Sequence, residues 1–440
     1  MKQKTKWSLI LLAITFLLSG CGKQQMPIED YVQSNPSTRG INGIMKSDMG
    51  YYYSTTSTSD TSNAKMSLHY FDEASGQNIY LCSKPECRHD GDAFCTATSD
   101  EYTIKGACFY GGSLYLSTLE ATGTEYLLKL LRVSTDGSER TEVITYMKLN
   151  TTSVFTLVGG EQMMIHRGVV VLPYYFVNKE EMQTTNNIVS IMGTCLYNLE
   201  TGELTQLPEL RSEEFLGGRE RFTGYGDYIY YNTKVDNKNV LSRYCLSDGT
   251  TEELELMVGF NGIYEVIDED TIYYTQAGNT LFEYQISNKG TIRHDGFFLD
   301  TYEYYLPPIN ANVTGSKAYT CTDMVTDGTY LYAGDGVDFH EMKKGNIGTA
   351  VYSYGVEEEI KSYIHVFDRD LTEVAKVEIG TKPYLGCEEN FSVAIFDGMV
   401  YLQTTPTVFS CTLEEFLKGG QPPFEPVYHH QDVEYLKYQQ

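Results

Sequence analysis

The chain has 440 residues, with 59 acidic against 33 basic side chains and a formal net charge of −26. A surface this acidic repels phosphate backbones and anionic headgroups, which excludes nucleic-acid binding. The 37 tyrosines and 39 glycines against a single tryptophan, Trp7, point to short strands joined by tight turns and exclude a largely helical protein.

In chain order, Lys2, Lys4 and Lys6 precede an apolar run from Leu9 to Leu18, followed by Ser19-Gly20-Cys21. Basic, apolar and small-residue zones in that order read as an export signal. The run is too short for a membrane span, which takes about 20 apolar residues. The pattern resembles a bacterial lipoprotein signal, which implies removal of residues 1–20, acylation of Cys21 with chains such as palmitate, and a place on the extracytoplasmic face of the cell membrane. An ordinary cleaved signal with a chance cysteine is the alternative. Each buried methylene contributes about 0.8 kcal/mol, so several chains on one residue hold a protein at the membrane almost irreversibly. Residues 21–40 lack periodicity and carry Pro, Ser and Gln. They are predicted as a flexible tether of roughly 25 Å reach.

Residues 41–440 are predicted as one all-β domain. Seven times a tight turn of Asp or Gly leads into an apolar residue and then an aromatic. The aligned positions are Tyr53, Tyr115, Val171, Tyr230, Tyr273, Tyr332 and Tyr401. Each unit reads as four strands, as in Phe222-Thr-Gly-Tyr225, Tyr228 to Asn232, Leu241 to Leu246 and Glu252 to Leu256. Turns of the Asp-Gly type suit tight antiparallel hairpins. Stretches such as Leu114-Tyr-Leu116 and Ile272-Tyr-Tyr274 put apolar groups on both faces of a sheet, so neighbouring sheets must cover them. Radial packing does so while leaving short edges, which predicts a β-propeller, most simply of seven four-stranded blades, with six or eight also compatible. One short helix is predicted around Thr412 to Lys418, stopped by Gly419-Gly420.

In an up-and-down blade the first and third turns share one end, and the remaining loops and crossings share the other. The long insertions, at about 54–66, 177–192, 335–360, 83–102 and 296–320, all fall at the second end. Variable loops on a rigid scaffold are where recognition sits. Aromatics in or beside them, Tyr174, Tyr175, Tyr302, Tyr304, Tyr305, Tyr352 and Tyr354, are candidate contacts for a glycan, peptide or protein ligand, against the plainer reading that they pack between blades.

The sharpest motif is Cys82-Ser-Lys-Pro-Glu-Cys87-Arg-His89-Asp-Gly-Asp-Ala-Phe-Cys95, assigned to the first crossing. Three cysteines and a histidine supply a tetrahedral sulfur and nitrogen set for a structural zinc. The spacing departs from paired C-x2-C motifs, and a disulfide clasp completed by Cys108 is an equal alternative in an exported chain. Cys195, Cys245, Cys321, Cys387 and Cys411 are expected as buried thiols.

The lipobox, the recurring tyrosine strands and the Leu81-Cys-Ser-Lys-Pro-Glu-Cys-Arg-His89 segment together resemble β-propeller lipoproteins of anaerobic Gram-positive bacteria. That resemblance implies location and fold and carries no catalytic residue. WD-repeat and quinone-cofactor propellers are less similar, because both repeat tryptophans missing here. Hydrolase elbows, zincin helices and dinucleotide glycine loops are absent from the sequence. His166, His294, His340 and His365 stand singly, and Asp335-Gly-Val-Asp338 matches no calcium loop. Two function classes follow: a membrane-anchored, non-catalytic ligand- or protein-binding propeller, and an extracellular carbohydrate-active enzyme with carboxylates assembled from several blades.

Overall fold

The computed structural model describes residues 45–47, 50–57, 65–72, 74–89, 95–99, 101–159, 163–179, 183–184, 189–212, 222–235, 238–257, 263–275, 280–295, 301–304, 315–338, 360–382, 392–396, 398–403 and 408–428. Seven antiparallel sheets follow one another through these residues. The fourth sheet shows the common plan: Phe222–Tyr225, Tyr228–Val235, Lys238–Cys245 and Thr251–Met257 lie side by side in chain order. Its first turn places Gly226 at φ 56, and the pair Tyr225 and Tyr228 closes around it, the geometry a two-residue hairpin demands and an L side chain resists. The second and fifth sheets repeat this plan, as does the seventh, which ends in Val408–Thr412 and Glu425–Tyr428. The aligned residue falls on the second strand of its sheet, from Tyr53 in Gly50–Ser57 to Tyr401 in Met399–Gln403, except in the sixth, where an added strand puts Tyr332 of Leu331–Asp338 third in order.

Three sheets depart from the plan. In the third, Val154–Gly159 and Met164–His166 share the innermost position and Leu204–Gln206 and Leu210–Ser212 share the outermost. In the sixth, the hairpin of Gly315–Thr326 and Leu331–Asp338 runs on beyond Gly334, where pairing with Ile360–Phe367 ends, and its far half takes Thr301–Tyr304 as an added strand. In the first, the outer strand is split into Gln77–Tyr80 and Thr98–Ser99, both paired to Lys65–Asp72.

The core lies between sheets. Leu68, Leu81 and Tyr52 of the first sheet meet Leu114, Leu116 and Val133 of the second. Leu128, Leu130 and Tyr146 of the second meet Val170, Leu172 and Ile191 of the third. Like clusters fill the seams between the third and fourth, fourth and fifth, fifth and sixth, and sixth and seventh sheets. The short helix Leu413–Phe416 forms as predicted, with the Thr412 hydroxyl accepting from the Glu415 N–H and Phe416 buried in the last of these clusters. No described helix is long and apolar enough to cross a membrane.

The chain is thus an all-β propeller, with six blades recognised. The last sheet also meets the first: the hydroxyls of Tyr51 and Tyr401 are 2.8 Å apart, and their rings pack edge to face at 5.6 Å. Among the described residues, neither terminal strand crosses over to complete the other's sheet. Met45–Ser47 pairs within the first sheet and Glu425–Tyr428 within the seventh. Tyr51→Phe and Tyr401→Phe should each lower unfolding free energy by about 1 kcal/mol. The double variant should cost less than the sum of the two, as a denaturant-unfolding double-mutant cycle would measure.

Candidate metal centre

The Cys82 to Cys95 segment starts where the outer strand of the first sheet breaks and ends where it resumes. Leu81 N–H still donates to Leu68 O, and Leu68 N–H to Ala97 O, so the backbone leaves the sheet and rejoins it at one residue. The expectation that this motif sits in a crossing at the long-loop end is therefore corrected. It is an insertion within an edge strand, and it packs on the turn Asp136-Gly137 between the third and fourth strands of the second sheet. The reason is register: Gln77–Tyr80 pairs with residues 69–72 and Thr98–Ser99 with residues 66–67, so two adjoining stretches of one strand take up both halves of a single edge position.

Local chemistry shapes the loop. Pro85 follows the first residue of a turn closed by Cys87 N–H to Lys84 O, 3.1 Å, a position that suits its fixed φ. His89 adopts φ 55, a left-handed backbone that histidine tolerates better than most residues. The second sheet fastens the loop from below. Gly137 O accepts from Ser83 N–H at 3.2 Å and from the Thr96 hydroxyl at 2.7 Å, and Thr96 also reaches Leu81 O. Arg140 donates to Cys95 O at 2.8 Å and lies over the Tyr102 ring.

These constraints bring Cys82, Cys87, His89 and Cys95 together, with one ligand atom of each within 4.8 Å of all the others. Cys95 is buried and the other three half-buried. His89 Nδ1 faces Cys95 Sγ at 3.6 Å, and Thr98 N–H donates to Cys95 Sγ at 3.3 Å. Burial works against a Cys82 thiolate, but hydrogen bonds from the Thr96 hydroxyl and the N–H groups of Thr96 and Lys84 outweigh it and bring the group down to about 7. Cys87 gains from the His89 N–H, yet burial and the facing sulfurs of Cys95 and Cys82 raise it to about 11. The donor set fits a tetrahedral thiophilic ion. A Zn–S bond of about 2.3 Å implies sulfurs roughly 3.8 Å apart, so the cluster need contract by only about 1 Å.

Cys82, Cys87 and Cys95 form no disulfide, and neither do Cys108, Cys195, Cys245 and Cys411 among the described residues. Cys108 does not complete a set with the cluster. Its thiol donates to Met163 O at the seam of the second and third sheets, and burial there raises it to about 12.

Of the aromatic candidates, Tyr174 is corrected. It is 2% exposed, packs in the core between the second and third sheets, and donates to Glu209 Oε1 at 2.8 Å while accepting from Gln206 Nε2. Tyr175 is half-buried with its hydroxyl on Ser190 Oγ. Tyr302 and Tyr304 lie on the added strand of the sixth sheet. Tyr305, Tyr352, Tyr354, Cys21 and His340 lie outside the described residues. The remaining single histidines sit in the fabric of the sheets: His166 with Gly226 O, His294 with Glu283 and His365 near Glu373.

Sequence reading missed Thr96, Gly137 and Arg140. Gly137 stands in a turn like many others, and only the approach of the loop gives it a role. A Cβ there would lie 2.5 Å from the Leu81 carbonyl carbon and 2.7 Å from Cys82 N, with φ +66.

No protein-family model matches the chain, and neither does any curated protein. Among solved structures it is similar to a puromycin-hydrolyzing peptidase of Mycobacterium tuberculosis, at 9% identity and TM-score 0.44 over 92% of this chain and 55% of that one. It is also similar to an acylaminoacyl peptidase, at 8% identity and TM-score 0.45 over 91% and 54%. A third is TolB from Acinetobacter baumannii, at 13% identity and TM-score 0.31 over 82% and 76%. The chain spans just over half the length of either peptidase.

Gly137→Ala should destabilise the protein by roughly 1–3 kcal/mol, the usual cost of overpacking. Gly226→Ala, also at positive φ but with open space around it, should cost only about 1 kcal/mol. Thermal unfolding of the two variants side by side separates clash from backbone strain.

Proposed function

We propose that the chain is a lipoprotein held at the extracytoplasmic face of the membrane through Cys21, and that its propeller is a non-catalytic platform for a glycan, peptide or protein ligand. All seven sheets serve as blades, and the Tyr51 to Tyr401 contact supports closure of the ring at the seventh. The Cys82, Cys87, His89 and Cys95 group holds a structural zinc. All four coordination positions are filled by protein, so the ion's contribution is folding free energy and not chemistry.

The observation that carries the platform reading is the contrast between the two ends of the ring. At one end short turns are tied to their neighbours. Arg167 pairs with Asp227 across the third and fourth sheets, and Arg369 donates to Asp268 Oδ2 at 3.0 Å and to Gly328 O at 2.6 Å, joining the fifth and sixth. At the other end the sixth sheet overruns its blade and recruits Thr301–Tyr304. One end is fixed by cross-links; the other offers backbone and aromatic residues beyond the rim, where recognition commonly sits.

Cells given radiolabelled palmitate should label the chain, and Cys21→Ala should abolish both the label and retention in the membrane fraction. The purified chain should contain one zinc per molecule, and chelation should lower its unfolding temperature. On a glycan and peptide array it should retain specific probes that a variant lacking 301–314 does not. Zero metal would remove the zinc assignment. Hydrolysis of a polysaccharide probe without retention of any ligand would overturn the platform in favour of the carbohydrate-active alternative.

A further inference from the structure

Cross-strand register lines up three rings on one face of the first sheet. Tyr53 stands opposite His69, and His69 opposite Tyr80. Tyr53 and His69 stack at 5.2 Å and 15°, and His69 and Tyr80 meet at 4.5 Å and 38°. The row does not stop at the edge of the sheet. The His89 imidazole lies 4.6 Å from Tyr80 at 16°, in the place where a further strand would put its side chain.

The inner part of this row is rigid. Tyr53 is fully buried, His69 is 9% exposed, and His69 Nε2 is fixed by the Ser67 hydroxyl at 2.8 Å. Tyr80 is different: 41% exposed on an outer strand, it adds little to any core. Among the described residues its ring contacts are those with His69 and His89. His89 in turn needs guidance. It is the one nitrogen donor of the cluster, half-exposed, on a loop with a left-handed backbone. An untethered imidazole there competes with water for the fourth position, whereas stacking on Tyr80 turns Nδ1 toward Cys95.

We propose that Tyr80 is a positioning residue for a thiolate-rich divalent-metal site: the ring row Tyr53, His69 and Tyr80 presents the His89 imidazole as fourth ligand and keeps that position closed to water. The proposal rests on the metal assignment given above. It adds that the geometry of the metal is set by the first sheet itself, through face-to-face ring contact of the kind that orients aromatic pairs, in the role that hydrogen-bonding partners play for most metal-bound histidines.

The test uses the full chain, Zn2+ with a competing chelator, and Co2+ as a spectroscopic substitute. The wild-type chain should show the intense visible bands of four-coordinate Co2+ with three sulfurs and one nitrogen. Tyr80→Ala and Tyr80→Leu should bind Zn2+ about 10–100-fold more weakly, the usual cost of losing a group that supports a ligand. Their Co2+ spectra should move to that of His89→Ala, in which water replaces imidazole. Tyr80→Phe, which keeps the ring face, should match wild type in both measurements. The chelated forms of wild type and the three Tyr80 variants should unfold at the same temperature, because Tyr80 lies outside the core. Tyr80→Ala with wild-type affinity and spectrum would overturn the positioning role while leaving the metal site intact. A wild-type chain that binds neither ion would overturn the site and the positioning role together.

Discussion

Sheets that are apolar on both faces set the terms for everything else in this protein. Leu114 and Leu116 face the first sheet while Leu128 and Leu130 face the third, so a single blade carries greasy surface in two directions. Water can accept neither face. Burying a side chain such as Leu or Val is worth roughly 1.5–3 kcal/mol, and each of the six seams between consecutive sheets collects eight or more buried apolar side chains. The sheets gain this only by standing against one another, and a ring is the arrangement that leaves no end sheet with a bare face.

Within the ring, a seam can be strengthened at its outer edge without disturbing its centre. Edge strands have one unpaired side and tolerate interruption, and the first sheet uses this freedom. Its fourth strand opens after Tyr80, extends a loop over the second sheet and returns at Thr98. The Thr96, Ser83 and Arg140 hydrogen bonds across the gap tie two blades together whether or not an ion is present. The thiols then need to move only a short way to enclose a metal.

The regular strands were legible because they obey local rules. The turn glycines, the apolar and aromatic runs between them and the aligned tyrosines marked all four strands of the fourth sheet to within a few residues, and the helix after Thr412 was marked by its cap and its glycine stop. The cysteine motif was legible as a set of donors. Its location was not, because the split of one strand into Gln77–Tyr80 and Thr98–Ser99 depends on which residues of Lys65–Asp72 each half pairs with. Tyr174 misled for a related reason: it adjoins a long loop in sequence, yet Glu209 and Gln206 hold its hydroxyl at the edge of a packed seam.

Composition, periodicity and turn chemistry, all properties of neighbouring residues, therefore determined by themselves that this chain makes many short, two-faced sheets and carries a cluster of soft donors. Only the tertiary structure decided that Cys108 stands apart from that cluster, that Gly137 and Arg140 support it, and that His69 and Tyr80 lead to it. Those relations join residues on different strands and sheets. Contacts of that kind are set by register and by the seating of one blade on the next, which no short stretch of sequence encodes.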